Sequence, residues 1–260
     1  MSRSTAVNTE GDIPVTDQQT TAPEVVLLHG WACPTGYWAP LQFELHRHGF
    51  HTAAPPLPGY GPEAPLPAGI DWNAECIADV IAHGAARRPA PVHWVGHSLG
   101  GSIAATIAAR HPEVTASVTL LGMVPTPPSD ATRERLSTMF LDGPISDESI
   151  QQCLSAWYGN PLPADDEMLR APFDIRRTVL DASLLAALDG VAADVPEKIG
   201  VPAQVVVGAD DQTRRLSEVE GYVRSHPGMK LTVVPGSGHM VHWSAPAACA
   251  DRIRGLVTGG

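Results

Sequence analysis

The stretch Pro91-Val92-His93-Trp94-Val95-Gly96-His97-Ser98-Leu99-Gly100 decides the fold, because an apolar strand runs there directly into an alanine-rich helix. A serine on so sharp a turn needs small neighbours, since its strained backbone would otherwise drive their side chains into the strand and the helix. Gly96 and Gly100 supply that clearance. The five-residue pattern alone is also compatible with a surface turn, but its context favours a nucleophile elbow with Ser98 at the positive end of helix 99–111.

Short β-branched segments alternate with helical patterns on both sides of this stretch, which predicts an α/β fold with a mostly parallel central sheet flanked by helices. Val25–Leu28 and Val205–Val207 are continuous apolar runs, as expected of strands buried on both faces. Strands are predicted at 24–28, 51–54, 92–95, 117–121, 204–207 and 231–234. Helices are predicted near 38–48, 72–87, 99–110, 214–225 and 246–256, and Asp71 is the expected N-cap of the second.

Residues 125–195 break the alternation and predict a helical cap, or lid, inserted into the fold. Helical patterns lie near 131–140, 147–157, 165–169 and 174–188. Their apolar stripes are most simply packing surfaces, and the alternative is that some of these side chains line an acyl pocket. The candidates for that pocket are Met139, Phe140, Leu154, Trp157 and Tyr158. The domain prediction is therefore a core of residues 24–124 and 196–260, with 125–195 as the cap.

The charge balance limits the partners, because 17 Lys and Arg stand against 28 Asp and Glu, for a formal net charge of -11. That excess of negative charge argues against a nucleic-acid surface and against an anionic membrane face. Residues 1–23 are polar and resemble neither a signal peptide nor an anchor, so we expect a loosely ordered arm. No segment approaches the roughly 18 apolar residues of a membrane span, and a soluble, cytoplasmic protein is expected.

Neither a metal nor a cofactor is predicted. The four cysteines are far apart and form no C-x-x-C pair, so they indicate neither a zinc site nor a disulfide framework. Cys33 lies close to His29-Gly30-Trp31, but a second nucleophile there is less favoured than a small buried residue. His239 and His242 are three residues apart, and no cluster of carboxylates or cysteines completes a metal site around them.

A serine hydroxyl needs a base to take its proton, and His239 is the best candidate among eleven histidines. It follows the last predicted strand in a glycine-flanked loop that can carry an imidazole across the top of the sheet. The acid that orients this base should follow a strand between Ser98 and His239. Asp211 is preferred over the adjacent Asp210, whose expected role is to cap the next helix, and Asp130 is a remote third candidate.

A tetrahedral intermediate needs hydrogen-bond donors aimed at its oxyanion. The Leu99 amide at the start of the helix supplies one, and the loop His29-Gly30-Trp31-Ala32 after the first strand should supply the second. We assign that donor to the Trp31 amide, with Gly30 beside it. The Trp31 indole either forms part of the pocket wall or packs wholly into the core. His29 is expected to form hydrogen bonds within this loop rather than to titrate in catalysis.

From about residue 24 to residue 256 the chain resembles the α/β-hydrolase superfamily, whose order of nucleophile, acid and base is reproduced as Ser98, Asp211 and His239. The resemblance implies an α/β-hydrolase fold and carboxylic ester hydrolysis through an acyl-enzyme, with the amides of Trp31 and Leu99 as oxyanion donors. Three segments are similar to the lipase-type esterases that include pimeloyl-acyl-carrier-protein methyl ester esterase. They are His29-Gly30-Trp31, Pro56-Leu57-Pro58-Gly59-Tyr60-Gly61 and Gly236-Ser237-Gly238-His239.

The chain departs from those esterases at His97, which precedes the serine, and in its acidic, proline-rich cap. The acidic cap weakens the case for an acyl-carrier protein as partner. The cap arginines are expected to lie on solvent-exposed helix faces, and the alternative is that they form a local basic patch. These arginines are Arg133, Arg135, Arg170, Arg176 and Arg177.

The sequence thus predicts a cofactor-free serine hydrolase acting on a small or medium carboxylic ester, or on a thioester or lactone. Phe140 and Trp157 are the cap residues assigned to the substrate. Two rival enzyme classes use the same triad, namely C–C bond hydrolases and acyltransferases or cyclases. A ligand-binding protein that keeps this fold without turnover is a third alternative.

Overall fold

The computed structural model describes residues 23–159, 162–163 and 166–259. All six strands of its sheet are parallel, which confirms the predicted α/β class, and they lie in the order β2-β1-β3-β4-β5-β6. The strands are β1 (Glu24–Leu28), β2 (His51–Ala53), β3 (Val92–His97), β4 (Thr115–Leu121), β5 (Ala203–Gly208) and β6 (Lys230–Val234). The four central strands are almost wholly buried, as their continuous apolar sequences predict.

Helices cover both faces of the sheet, with α1 packed against α11 on one face and α2 packed against α3 on the other. The helices that flank the sheet are α1 (Ala39–Arg47), α2 (Ala74–Ala85), α3 (Leu99–Arg110), α8 (Val195–Lys198), α9 (Leu216–Ser225), α10 (Val241–Ser244) and α11 (Pro246–Thr258). Since β3 is central and α3 follows it without a loop, the turn between them is at the middle of the sheet edge.

The start of α2 differs from the prediction. Asn73, not Asp71, is its N-cap, and the Asn73 side chain accepts a hydrogen bond from the Cys76 amide at 2.8 Å. The helix therefore begins at Ala74, two residues later than expected. Asparagine and aspartate are comparable N-caps, so the position that the tertiary structure gives the first turn, rather than residue type, decides between them.

In the interval for which the sequence predicts a cap, the described residues form four α-helices that all precede α8: α4 (Asp130–Phe140), α5 (Asp147–Tyr158), α6 (Asp166–Arg170) and α7 (Arg177–Asp189). We call residues 125–195 the cap segment. The helix predicted at 165–169 is α6, and residue 165 lies outside the described residues. So does the predicted N-terminal arm, except for Pro23.

Two cap arginines hold this segment together. The Arg133 guanidinium on α4 donates to the Leu188 carbonyl at 2.5 Å and pairs with Asp189 at 3.1 Å, both at the end of α7. Arg177 at the start of α7 pairs with Asp181 and donates to the Phe140 carbonyl at 2.8 Å. The Arg133 and Arg177 side chains remain 36% and 40% exposed, and their guanidinium groups also satisfy carbonyls at helix ends.

Within the described residues, no helix combines the length and the apolar character needed to cross a membrane.

Candidate active site

Ser98 lies on a strained turn between β3 and α3, with φ 50° and ψ -118°. Its amide donates to the Leu121 carbonyl of β4 at 3.0 Å, which fixes the turn against the sheet. A Cβ atom on Gly96 would lie 2.2 Å from the Gly100 carbonyl oxygen, and one on Gly100 would lie 2.0 Å from the Leu28 carbonyl oxygen. Both glycines are thus required by close backbone approach, as the sequence pattern predicts.

His239 and Asp211 form a buried pair joined by a 2.9 Å hydrogen bond from Nδ1 to Oδ2, and each residue is 3% exposed. Because a carboxylate only accepts, Nδ1 carries the proton and the neutral ring keeps a lone pair on Nε2. The other Asp211 oxygen accepts from the amides of Thr213 at 2.7 Å and Arg214 at 2.9 Å. These three hydrogen bonds hold the carboxylate in one orientation.

Asp210 is exposed, whereas the pair is buried, and the Asp210 carbonyl accepts from the Gln212 side chain at 3.1 Å. The expectation that Asp210 caps the next helix is wrong. Helix α9 begins at Leu216, and its N-cap Arg215 makes no side-chain capping bond. Asp211 itself binds the amides that follow it, so one aspartate both contacts the histidine and closes the turn.

Arg214 is a site residue that the sequence analysis missed. Its guanidinium is buried and donates to the carbonyls of Pro127 and Thr126, each at 2.7 Å. Burial lowers its pKa, while the nearby carboxylates of Glu218 and Asp211 raise it. Arg214 thereby fastens the Asp211 turn to the loop after β4. A single arginine in a polar loop gives no sequence signal for such a role.

The structure brings Ser98, Leu99 and His239 to the wall of one cavity of about 40 Å³. The remaining wall comes from α3, from the loops after β4 and β5, and from α4 and α7 of the cap segment, so the cap segment contributes part of the wall beside the serine. Leu136 of α4 lines this cavity and also a larger groove of about 430 Å³ between α4 and α5. We call the latter the α4–α5 groove. Trp157 lines that groove, and its ring centroid is 6.4 Å from that of His239.

The loop after β1 turns sharply at residues 30–33, where the Cys33 amide donates to the Gly30 carbonyl at 3.3 Å. Ala32 has a φ of 47°, a left-handed backbone conformation that residues other than glycine rarely adopt. This turn carries the Trp31 amide, the second predicted oxyanion donor. Leu99 is the first residue of α3, where helix amides have no acceptor within the helix.

The Trp31 indole lies in an aromatic cluster beneath the cap segment and is 4% exposed. Its ring centroid is 4.8 Å from that of Phe140, 5.7 Å from that of Phe173 and 6.2 Å from that of Trp157. The sequence left open whether the Trp31 indole forms part of the pocket wall or packs into the core, and the structure favours packing. The substrate-binding role assigned to Phe140 is not supported, because this side chain is 1% exposed and lines neither cavity.

His29 forms the hydrogen bonds within its loop that the sequence predicts. Its Nδ1 donates to the Gly30 carbonyl at 2.8 Å, and its Nε2 accepts from the Leu57 amide at 2.9 Å. Burial lowers its pKa to about 4, so the ring is neutral at pH 7. His29 therefore joins the loop after β1 to the loop after β2.

His242 does not form a metal centre with His239. It is fully buried against the rings of Tyr37, Trp38 and His97, with centroids 4.4 to 4.6 Å apart. Across the ranges that the structure describes, no group of three His, Cys, Asp or Glu side chains could hold a metal ion. Burial and the neighbouring His239 lower the pKa of His242 to about 3, which keeps it neutral.

Cys33 is buried, and burial raises the pKa of its thiol well above the ordinary value. Its Sγ donates to the Trp31 carbonyl at 3.3 Å. A thiol held in the protonated form is a weak nucleophile, so the geometry supports the interpretation of Cys33 as a small buried residue.

A parallel sheet that presents a serine on a strained strand-to-helix turn, beside a buried histidine and aspartate, has the architecture of an α/β hydrolase. Residues 25–252 match the model of the alpha/beta hydrolase family, and the chain belongs to that family. It is 33% identical over 217 residues to a pimeloyl-[acyl-carrier protein] methyl ester esterase of Methylococcus capsulatus, covering 76% of this chain and 79% of that protein.

A second esterase with that name, from Chromobacterium violaceum, is 28% identical and covers 84% of this chain and 87% of its own. Among solved structures, a hydrolase from Pseudomonas aeruginosa superimposes with a TM-score of 0.76 at 20% identity, over 93% of this chain and 91% of that one. The fold predicted from the sequence is thereby confirmed.

Proposed function

We propose that this protein is a carboxylic ester hydrolase that works through an acyl-enzyme, with Ser98 as nucleophile, His239 as base and Asp211 as orienting acid. One observation carries the proposal. Ser98 shares a small cavity with His239, whose Nδ1 is bound to a buried carboxylate at 2.9 Å. Family membership and the esterase names of the relatives support the same reaction class.

The first half-reaction follows from the hydrogen-bond directions. Ser98 Oγ attacks the ester carbonyl carbon while its proton passes to Nε2 of His239, and Asp211 stabilises the resulting imidazolium. The carbonyl oxygen becomes an oxyanion, which the amides of Leu99 and Trp31 stabilise. Collapse of this intermediate breaks the ester C–O bond, and His239 returns the proton to the departing alcohol.

Water completes the cycle on the acyl-enzyme. It attacks the acyl carbon as His239 takes one of its protons, the same two amides stabilise the second oxyanion, and Ser98 leaves with the proton that His239 returns. The products are a carboxylic acid and an alcohol, and every group in the chain regains its starting state. No cofactor is needed for this sequence of steps.

The cavity dimensions bear on the size of the substrate. A cavity of about 40 Å³ at Ser98 holds little more than the ester group itself, whereas the α4–α5 groove offers about 430 Å³. Leu136 separates the two spaces. We infer that a small or medium ester binds with its longer chain directed past Leu136 into this groove, and Trp157 then contacts that chain.

The names of the relatives suggest an acyl-carrier protein as carrier of the substrate. The cap arginines give little support to binding of an acyl-carrier protein, because Arg133 and Arg177 already bind carbonyls and carboxylates of the cap segment. A net charge of -11 also repels an acidic carrier. A free small-molecule ester is therefore the substrate class that we propose.

The test is a series of p-nitrophenyl esters from acetate to decanoate, assayed with the wild type and with Ser98→Ala. We expect wild-type turnover, a mass adduct on Ser98, and a loss of at least about 10⁴-fold in the variant with its circular dichroism unchanged. If Ser98→Ala hydrolysed the esters as fast as the wild type, the mechanism would be overturned. A folded wild type without turnover or adduct would overturn the esterase assignment.

A further inference from the structure

The Trp31 amide lies between two amides that each donate to a tyrosine hydroxyl. Gly30 N–H donates to Tyr37 Oη at 2.9 Å, and Ala32 N–H donates to Tyr60 Oη at 3.4 Å. The geometry points to Tyr37 and Tyr60 as positioning residues that aim the Trp31 amide at the oxyanion. This inference rests on the proposed function, in which that amide is an oxyanion donor.

The turn at residues 30–33 needs such support. Ala32 is left-handed with φ 47°, and the single hydrogen bond that closes the turn, from the Cys33 amide to the Gly30 carbonyl, is 3.3 Å long. A strained non-glycine residue persists only where its surroundings determine its conformation. The tyrosines fix the peptide planes 29–30 and 31–32, which lie on either side of the plane that carries the Trp31 amide, and so keep that amide from rotating into a competing turn.

Tyr37 connects this turn to the base. His97 contacts the His239 carbonyl through Nε2 at 3.1 Å, and since a carbonyl only accepts, Nε2 carries the proton. Nδ1 of His97 is then the acceptor for the Tyr37 hydroxyl at 3.2 Å. The chain of donors runs in one direction from Gly30 N–H through Tyr37 and His97 to the main chain of His239.

Tyr60 connects the same turn to the cap segment. Its hydroxyl is 2.8 Å from Ser183 Oγ, and Ser183 donates in turn to the Leu180 carbonyl of α7 at 3.0 Å. That carbonyl also accepts from the Trp31 indole at 2.9 Å. Main chain and side chain of the Trp31 turn are therefore tied to one point on α7.

Both tyrosines keep the proton that these networks require. Tyr37 is fully buried and Tyr60 is 8% exposed, and burial raises the pKa of each hydroxyl above its ordinary value. Each oxygen accepts one hydrogen bond and donates another, which a phenolate could not do. Tyr37 and His97 thus hold two groups at a fixed separation: the Trp31 amide, which binds the oxyanion, and His239, which takes the proton of Ser98.

The test compares Tyr37→Phe and Tyr60→Phe with Tyr222→Phe as the matched control. The same atom is removed in each, and the Tyr222 hydroxyl is buried with no hydrogen-bond partner among the described residues. Three quantities are measured: the rate at which a fluorophosphonate labels Ser98, the affinity for a boronic acid that forms a tetrahedral adduct, and the affinity for an ether analogue of the ester. The ether lacks the carbonyl, so its affinity does not depend on the oxyanion donors.

We expect the labelling rate and the boronic acid affinity to fall by about 10-fold in Tyr37→Phe and about 3-fold in Tyr60→Phe, following the two hydrogen-bond lengths. The ether affinity and the melting temperature stay close to those of the control. Unchanged labelling and boronic acid affinity in folded Tyr37→Phe and Tyr60→Phe, with a reactive wild type, overturn the inference alone. If a tyrosine variant lost equal affinity for the boronic acid and for the ether, the site would be generally disordered, and the inference would also be overturned.

If Tyr37→Phe does not fold, Tyr60→Phe decides the question, because Tyr60 is 8% exposed and so less completely buried than Tyr37 at 0%. A wild type that neither hydrolyses an ester nor reacts with the fluorophosphonate overturns the proposed function and this inference with it.

Discussion

Ala32 and Ser98 are the two residues other than glycine with a positive φ in the described chain, at 47° and 50°. Such a conformation costs on the order of 1–3 kcal/mol and persists only where surrounding contacts determine it. One residue follows the predicted oxyanion donor Trp31, and the other is the predicted nucleophile. Backbone strain is therefore concentrated where the proposed chemistry needs two groups held in fixed positions.

Asp211→Asn should reduce kcat/KM for an ester by about 10³- to 10⁴-fold, because an amide in place of the carboxylate favours the wrong tautomer of His239 and cannot stabilise the imidazolium. The measurement is steady-state kinetics on the best p-nitrophenyl ester, together with the melting temperature.

Asp210→Asn is the matched control for that substitution, since the same change is made one residue away on an exposed side chain. We expect its kcat/KM to stay within about 2-fold of the wild type, as for most surface substitutions. If Asp210→Asn proved the more damaging change, the assignment of the acid would be wrong.

Residue type and order were sufficient to predict the histidine–aspartate pair, because a base and its acid must follow particular strands of a parallel sheet. They were not sufficient for Arg214, Tyr37 or Tyr60. The Arg214 guanidinium binds carbonyls 87 and 88 residues away in the chain. A partner so remote leaves no local pattern, so only the folded chain reveals it.

At the scale of elements, the α4–α5 groove and the serine cavity are neighbours separated by Leu136. Helix α4 is held relative to α7 by Arg133 and Arg177. One wall of the groove therefore has a fixed position, and in the proposed binding mode the Leu136 side chain decides how far a bound chain extends from Ser98.

Leu136→Ala should join the cavity and the groove, so the chain length with the highest kcat/KM should shift by about two to four carbons towards longer esters, since removing the isopropyl group frees the space of about three carbons. The p-nitrophenyl series from acetate to decanoate measures this. A cost in stability of about 2–5 kcal/mol is expected from the lost packing.

Leu185→Ala serves as control, because Leu185 is also a leucine on a cap helix but is 45% exposed. Its chain-length profile should match that of the wild type. A profile that does not move in Leu136→Ala would show that the substrate chain leaves Ser98 by another route.

At the scale of the whole molecule, four buried histidines surround the junction of β1, β3 and the loop after β6: His29, His97, His239 and His242. Burial holds the pKa of His29 at about 4 and that of His242 at about 3, and lowers the pKa of His97 well below its ordinary value. Keeping these neighbours neutral leaves the field around His239 free of competing cations.

This arrangement has a consequence for stability in acid. As pH falls below 6.5, the unfolded chain binds protons at these histidines while the folded chain does not, so the free energy of unfolding decreases. The decrease begins near pH 6.5, the pKa of histidine in the unfolded chain. It continues down to the folded pKa, which is about 4 for His29 and about 3 for His242, and these groups cause no decrease above pH 6.5.

His242→Leu should make this pH dependence shallower by about 1.4 kcal/mol per pH unit below pH 6.5, because one linked proton is removed. Both ring nitrogens of His242 lack a hydrogen-bond partner within the described part of the chain, so an apolar side chain loses no bond there. Urea unfolding at several values between pH 7 and pH 4.5 measures the slope.

An exposed histidine gives the control. His51→Leu at the start of β2 should leave the slope as in the wild type, because the His51 side chain is exposed and its surroundings change little on unfolding. An unchanged slope in His242→Leu would mean that His242 is protonated in the folded protein as well.

The sequence by itself determined the order of strands and helices, the parallel sheet and the serine turn. Apolar runs bounded by glycine and proline specify buried strands, and glycines at 96 and 100 allow the close backbone approach that the serine turn requires. It also indicated that His239 meets one of the adjacent aspartates 210 and 211, since the carboxyl ends of neighbouring parallel strands lie at one edge of the sheet, and the structure shows Asp211 in that contact.

Only the tertiary structure decided the environment of those groups. It placed Phe140 against Trp31 instead of in the cavity, moved the N-cap of α2 to Asn73, and bound two cap arginines to carbonyls at helix ends. The physical reason is common to all three. Local pattern fixes what a segment forms, whereas the partner of a buried hydroxyl, guanidinium or ring is set by packing between segments far apart in the chain.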